Sequence, residues 1–295
     1  MSTTPLLVTG ASGQLGRRVL ELLLARGAGP IIATTRNPDS LKEFAARGVE
    51  VRRADFEDEA GLAQAFRGAG RALLISTDAL DRPGRRLAQH QTAIRALKAA
   101  GVRHIVYTSL PNPGPNSPVT IAPDHRQTEE AIQASGLDYT FLRNNLYTDL
   151  MLHTLPGAIA SGQIIDARGK GATAFVTRED CAQAATAALA EASSGRNTLD
   201  VTGPESLTSD QVAAIVSEVV GRKIVHVSVP AEALIRGMQE HGLPKVAAEL
   251  YASFDVAIEK GDLATVTDTV KRLSGRTPQT VREFLTAHKA TLTKA

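Results

Sequence analysis

The chain has 295 residues, 43% of them hydrophobic and 22% charged, and a formal net charge of +2. This supplies the core of one large α/β domain, or of a domain with a smaller lobe, and with both charge signs spread along the chain it excludes wholesale disorder and a dedicated nucleic-acid groove. The single Cys181 excludes an internal disulfide, the opening MSTTPLLVTG is too short and uncharged for a leader, and no window reaches the ~18 apolar residues of a membrane helix.

A soluble cytoplasmic protein is therefore expected, and a homo-oligomer stays open. Through residue 147, short apolar runs alternate with amphipathic ones. LLVTG (6–10), PIIATT (30–35), VEVRRAD (49–55), ALLIST (72–77), HIVYTSL (104–110) and YTFLRN (139–144) read as strands. Between them LGRRVLELLLARG, SLKEFAARG, EAGLAQAFRG, RLAQHQTAIRALKAAG and DHRQTEEAIQASG have helical periodicity, and all five end at a glycine suited to a C-cap. Strand and helix at this rhythm predict βαβ crossovers and a Rossmann-like, doubly wound parallel sheet covered on both faces.

The rhythm changes after Tyr147. TDLMLHTLPGAIASG reads as a helical piece that leads through a loop to AFVTREDCAQAATAALAEA, NTLDVTG (197–203) as a later strand of the sheet, and IVHVSV as a further strand. SLTSDQVAAIVSEVVG opens on an N-cap at Thr208 or Ser209. The expected division is a nucleotide-binding domain over 1–147, joined by the later strand, and a smaller C-terminal α/β lobe over most of 148–295. That lobe is expected over the carboxyl ends of the strands, where open α/β sheets bind ligands.

The first strand runs into VTGASGQLG, with Gly10, Gly13 and Gly16 three apart. Gly10 permits a tight turn, Gly13 lets backbone approach a pyrophosphate, and Gly16 lets the helix sit close to the strand. The helix N-terminus adds N–H groups and partial positive charge. The alternative is a glycine-rich turn closing any βα unit. An NAD site carries an acid at the end of the second strand to hold the ribose diol. Here Thr35 and Arg36 stand in that place, and no acid follows until Asp39. A guanidinium suits a 2′-phosphate, so NADP(H) is expected over NAD, against an ordinary solvated loop arginine. Asp55 suits either the adenine amino group or the cap of the next helix. Ser76 and Thr77 end the fourth strand, and Thr108 and Ser109 the fifth, at positions that face the crevice.

A carbonyl reductase of the short-chain kind donates a proton from the tyrosine of a YxxxK motif. This chain has four tyrosines, and four residues after Tyr107, Tyr139, Tyr147 and Tyr251 stand Pro111, Arg143, Met151 and Asp255. That donor pair does not exist here. His125 stands alone in TIAPDHRQTEEA, fit either to assist at a developing oxyanion or to pack at a helix start. Tyr147 suits ring stacking or core packing. His90, His104, His153, His226, His241 and His288 form no metal-ligand spacing with one another or with Cys181, and no metal is expected.

GASGQLG, ATTRNP, VRHIVYTSL, APDHRQTEEAIQASGLDYTFLRNNLYTD and GRTPQTVREFL together resemble the NmrA-like atypical short-chain dehydrogenase/reductase family, in its NAD(P)H:quinone oxidoreductase and triphenylmethane reductase type. The resemblance spans the whole chain and is most specific in the first 150 residues. It implies that Gly10, Ala11, Ser12, Gly13, Gln14 and Leu15 line the diphosphate and that Arg36 holds the 2′-phosphate. Ser76 and Thr77 would flank the nicotinamide-side ribose. Arg143, Asn144, Asn145 and Tyr147 would pass beside the nicotinamide, Asn144 matching the family's asparagine. His125 falls where plant isoflavone-reductase-like members have lysine. Asn145-Leu146 departs from the glycine and aromatic of the quinone-reductase branch.

Hydride delivered to a quinone leaves a phenolate-like anion whose pKa is near that of tyrosine, ~10, so the need for a positioned acid largely falls away. The expectation is an NADPH-dependent oxidoreductase acting on quinones or similar conjugated electrophiles. Two alternatives stand beside it. One is a non-catalytic NADP-sensing regulator of the NmrA-like kind. The other is a carbonyl, imine or ene reductase with an atypical proton donor such as His153 or Tyr251.

Overall fold

The structure, a computed structural model, describes residues 4–191 and 195–293. Met1–Thr3 of the opening segment and Ala192 at the end of AFVTREDCAQAATAALAEA lie outside the described residues. In chain order come β1 (Leu6–Val8), α1 (Gln14–Ala25), β2 (Ile31–Thr35), α2 (Lys42–Ala45), β3 (Glu50–Arg53), α3 (Glu59–Ala65), β4 (Arg71–Leu74), α4 (Arg85–Ala99), β5 (His104–Ser109), α5 (Ala122–Ser135) and β6 (Asp138–Asn144). Then follow α6 (Met151–Ser161), β7 (Gln163–Asp166), β8 (Ala172–Thr173), α7 (Arg178–Ala190), β9 (Arg196–Val201), β10 (Leu207–Thr208), α8 (Ser209–Val220) and β11 (Val225–Ser228). The rest is helical: α9 (Ala231–Glu240), α10 (Lys245–Glu259), α11 (Thr269–Ser274), α12 (Val281–Ala287) and α13 (Lys289–Leu292).

Seven strands make one sheet in the order β3-β2-β1-β4-β5-β6-β9, and the pairings from β3 through β6 are all parallel. This is the doubly wound order, with its reversal between β1 and β4. Register sets the core. Ile32, Leu7, Ala72, Ile105 and Tyr139 stand side by side across five strands, and Leu74, Tyr107 and Phe141 form the next row but one. Both rows share one buried cluster with Leu62 and Phe66 of the α3 segment and Ala93, Ile94 and Leu97 of α4. The pleat sends alternate residues such as Leu6 and Val8 to the other face, where α1 packs against β1 and β2 with Val19, Leu20 and Leu23 buried.

The five glycines expected as C-caps, Gly27, Gly48, Gly68, Gly101 and Gly136, all have positive φ. Each ends its helix in the left-handed conformation that costs other residues strain. The segments read as strands at 49–55 and 72–77 are shorter than expected, ending at Arg53 and Leu74. Beyond Leu74 the backbone leaves the ladder for side-chain partners, described below.

The chain divides into two compact units that interleave along it. The first holds the described residues of Met1–Leu110, Asp124–Arg143 and Cys181–Leu199, and the second holds those of Pro111–Pro123, Asn144–Asp180 and Asp200–Ala295. The second unit has its own core around Phe175, Val216, Phe284 and Leu285 and two small sheets, β7 with β11 and β8 with β10. Its helices α8 and α12 each start with a capping box, Thr208 with Gln211 and Thr280 with Glu283. Ser209, the other expected N-cap, instead donates to Asp166 at 2.5 Å.

Phe66 is fully buried in the first unit's core. Phe66→Ala is expected to lower unfolding free energy by ~3–5 kcal/mol, read from the urea midpoint, with an unchanged slope showing that the same surface is still buried.

Candidate functional site

A cleft of about 590 Å³ opens in the first unit beyond the carboxyl ends of β1, β2, β3 and β4. Its floor is the loop between β1 and α1. Gly10 has φ +58°, and a Cβ on Gly16 would come within 2.5 Å of the Gly10 carbonyl oxygen and 2.7 Å of Ala11 Cα. Only glycine at 16 therefore lets the first turn of α1 lie against the loop backbone. Gly13 is the N-cap, and no side chain caps the helix. Its first-turn N–H groups are left to an anion, at the end where the helix dipole is positive.

The loop is tied to the end of β2. Thr35 Oγ1 donates to Ser12 Oγ at 2.9 Å, and Arg17 Nε donates to the Ser12 carbonyl at 3.1 Å. Arg17 also binds Glu43 and the Ser40 carbonyl, which spans the phosphate loop and the turn after β2. Arg36 follows directly, exposed on the cleft, and among the described residues it has no ion pair or hydrogen bond. Asp55 lines the cleft after β3, where its Oδ1 accepts the Glu57 N–H at 3.0 Å. The helix-cap reading of Asp55 is corrected: Asp58 caps α3 by accepting from Gly61.

Past Leu74, three successive backbone N–H groups are taken up by side chains. Ile75 donates to Thr9 Oγ1 (3.1 Å), Ser76 to Thr108 Oγ1 (2.9 Å) and Thr77 to His90 Nε2 (3.0 Å). Ile75, Ser76 and Thr77 all line the cleft, as do Asp81, Arg85 and Gln89. The last three escaped sequence reasoning. Glu57 gathers Arg85 (2.5 Å) and Gln89 (3.1 Å), while Arg85 also binds Asp81. These are polar and charged residues of a turn and the first turns of a helix, a pattern no different in sequence from a solvated surface.

Of the expected cofactor residues, Gly10, Ser12, Gly13, Arg36, Asp55, Ser76 and Thr77 line this cleft. Ala11, Gln14 and Leu15 belong to the same loop and helix start but do not line it, and Thr108 acts through Ser76. Arg143 is turned to a carboxylate, pairing with Glu129 through Nε (3.0 Å) and Nη2 (2.7 Å). In the second unit, the Nδ2 group of buried Asn144 donates to Tyr147 Oη at 3.2 Å, and its Oδ1 has no hydrogen-bond partner among the described residues. Asn145 is occupied locally, donating to the Leu263 carbonyl and accepting the Leu146 N–H. The Arg178 guanidinium lies 5.1 Å from the Tyr147 ring centre, so Tyr147 carries a cation on its face. His153 and Tyr251 are both exposed.

His125 is only 4% exposed and does not line the cleft. Its Nε2 faces Arg86 Nη2 at 2.8 Å and its Nδ1 faces Tyr107 Oη at 2.9 Å. Since a guanidinium only donates, Nε2 must accept, and the ring proton sits on Nδ1 and points at Tyr107. Burial, then the Arg86 charge, then His90, hold its pKa well below the usual histidine range. Burial likewise pushes the Tyr107 phenol up. Among the described residues no group of three His, Cys, Asp or Glu side chains is arranged to hold a metal ion, and no helix is long and apolar enough to cross a membrane.

The glycine-walled loop, the uncapped helix start and an unpaired arginine at the second strand end fit a phosphorylated dinucleotide. Comparison with known proteins agrees. A family model described as NAD(P)H-binding matches residues 10–192. Quinone oxidoreductase 2 of Escherichia coli (strain K12) is 36% identical over 94% of this chain and 96% of its own length. The crystal structure of NADPH-dependent quinone oxidoreductase QOR2 from Escherichia coli complexed with NADPH superposes with a TM-score of 0.91 at 36% identity, covering 97% of this chain and 99% of that one. The Citrobacter sp. triphenylmethane reductase complexed with NADP(H) gives 0.89 at 35% identity, covering 96% and 99%. By its phosphate loop, its strand order and these full-length matches, the chain belongs to the NAD(P)H-binding family of oxidoreductases, in the group that holds these quinone and triphenylmethane reductases.

Proposed function

We propose that this protein is an NADPH-dependent oxidoreductase that passes hydride directly to quinones or similar conjugated electrophiles. The observation that carries the reading is the exposed, unpaired Arg36 on the cleft where an NAD site has a carboxylate. The named activities of its full-length relatives support the same reading. Bound NADPH supplies the hydride from its dihydronicotinamide ring. The loop of Gly10, Ser12 and Gly13 cradles the diphosphate at the uncapped N–H groups of the first turn of α1, Arg36 neutralises the 2′-phosphate, and Ser76 and Thr77 bound the far side of the cleft. Asn144 and Tyr147 are proposed to face the nicotinamide, as the resemblance implies. A cytoplasmic location goes with this reading.

In this reading His125 is a strut, not a proton donor. Its neutral ring spends its single N–H on Tyr107, so no proton remains for an acceptor in the cleft. A quinone acceptor suits a site built this way, because hydride transfer leaves a weakly basic phenolate-like anion (conjugate-acid pKa ~10) that takes its proton from water without a positioned acid.

Purified protein mixed with NADPH and a panel of quinones is expected to consume the reduced-nicotinamide absorbance above the uncatalysed rate. Saturable NADPH binding with a flat trace across the panel would instead favour the sensing role. Arg36→Ala is expected to weaken NADPH binding about 10- to 100-fold, the worth of charge-assisted hydrogen bonds, and to leave NADH binding nearly unchanged. Equal losses for both nucleotides would remove Arg36 from the 2′-phosphate.

The buried imidazoles set a pH dependence of stability. His90 is held down to about 3 by burial and then by Arg86, and His125 is lowered in the same direction. Their folded values lie below the unfolded value, so stability is full above about pH 6.5 and falls as the unfolded state gains protons. The expected slope is ~1.4 kcal/mol per pH unit for each imidazole. Urea midpoints at pH 7.5, 6.5 and 5.5 measure it. A flat profile would mean that both imidazoles titrate in the folded protein much as in the unfolded one, which would restore His125 as an acid.

A further inference from the structure

We propose that His90 and Arg86 of α4 are positioning residues that clamp the peptide groups of Thr77 and so hold the β4 rim of the cleft in the shape that takes up NADPH. This rests on the reading of the cleft as the NADPH site.

The two side chains are four residues apart, one above the other on the face of α4 turned into the protein, and they are 0% and 4% exposed. His90 Nε2 accepts the Thr77 N–H at 3.0 Å, and Arg86 Nε donates to the Thr77 carbonyl at 2.7 Å. Both backbone groups of one rim residue are thus held by one helix.

The ring orientation is dictated from the other side. Thr128 Oγ1 spends its hydrogen on the Asp124 carbonyl at 2.6 Å, so at its 2.9 Å contact with His90 Nδ1 it must accept. His90 therefore carries its proton on Nδ1, and Nε2 is left as a lone pair aimed at Thr77. Two threonines supply the neighbouring acceptors, Thr9 for Ile75 and Thr108 for Ser76. The rim is thereby fixed residue by residue after the sheet has ended.

Packing alone does not call for these residues. A guanidinium buried without a close carboxylate is costly, and apolar side chains would fill the same space between α4 and the sheet. Arg86 Nη1 has no hydrogen-bond partner among the described residues, and the Asp124 carboxylate is 3.9 Å away. The cost is tolerated where the one short bond to main chain goes to a residue that lines the cleft.

The two ring nitrogens allow a test that separates the clamp from core packing. In His90→Asn the amide can replace Nδ1 and serve Thr128, but nothing reaches Thr77. In His90→Gln the longer side chain places its carbonyl near the Nε2 position. Titration of the full chain with NADPH, followed by reduced-nicotinamide fluorescence, is expected to show Kd raised about 10-fold in His90→Asn, the worth of one buried N–H left unpaired, and within about 3-fold of wild type in His90→Gln. Equal affinities in the two variants would overturn the proposal. Should either variant fail to fold, the wild-type chain still decides it. In the NADPH-saturated protein the ¹⁵N resonance of His90 Nε2 is expected at the position of an unprotonated nitrogen that accepts a hydrogen bond, and a protonated Nε2 would overturn the clamp. Wild-type protein that fails to bind NADPH at all would instead overturn the functional reading beneath it.

Discussion

The approach of α1 to the loop that precedes it governs the cleft. Gly16 allows the helix backbone to meet the Gly10 carbonyl and Ala11 Cα at distances that no side chain tolerates, 2.5 and 2.7 Å for a built Cβ. That contact points the uncapped first turn of α1 at the carboxyl end of β1. From there Ser12 reaches Thr35, and Arg17 reaches the turn after β2. The anion site and the arginine that would read a 2′-phosphate are therefore parts of one hydrogen-bonded corner. A larger residue at 16 would disturb both together.

The opposite wall is built by a different principle. Where β4 stops at Leu74, parallel pairing no longer satisfies the backbone, and a buried unpaired N–H is expensive. Thr9, Thr108 and His90 replace the missing strand partners. A cleft at the topological switch point needs this, because the strands must part there for a ligand to enter while their ends stay ordered.

The same network explains the lone histidine of TIAPDHRQTEEA. His125, Tyr107, Arg86 and His90 form a polar core between the sheet and helices α4 and α5, beside the T-shaped contact of His90 with Tyr107. Both imidazoles are held neutral by burial first and then by the neighbouring charge of Arg86. The arrangement favours a rigid site over proton delivery. That agrees with an acceptor whose reduced form needs no proton from the protein.

The alternating apolar runs, the glycine triplet, the five C-cap glycines and Arg36 after the second strand were all legible from order along the chain. Each depends on neighbours within a few residues: a turn, a cap, a strand end. The missing YxxxK was equally plain, being a matter of spacing alone. Tertiary structure decided where polar side chains spend their hydrogen bonds. Arg143 turned to Glu129, Asn145 to Leu263, and Asp58 capped the helix that Asp55 was equally suited to cap. His125 looked from its sequence position like a candidate acid, and its partners Tyr107 and Arg86 lie 18 and 39 residues away. Protonation and burial are set by such distant groups, which only folding brings within 3 Å.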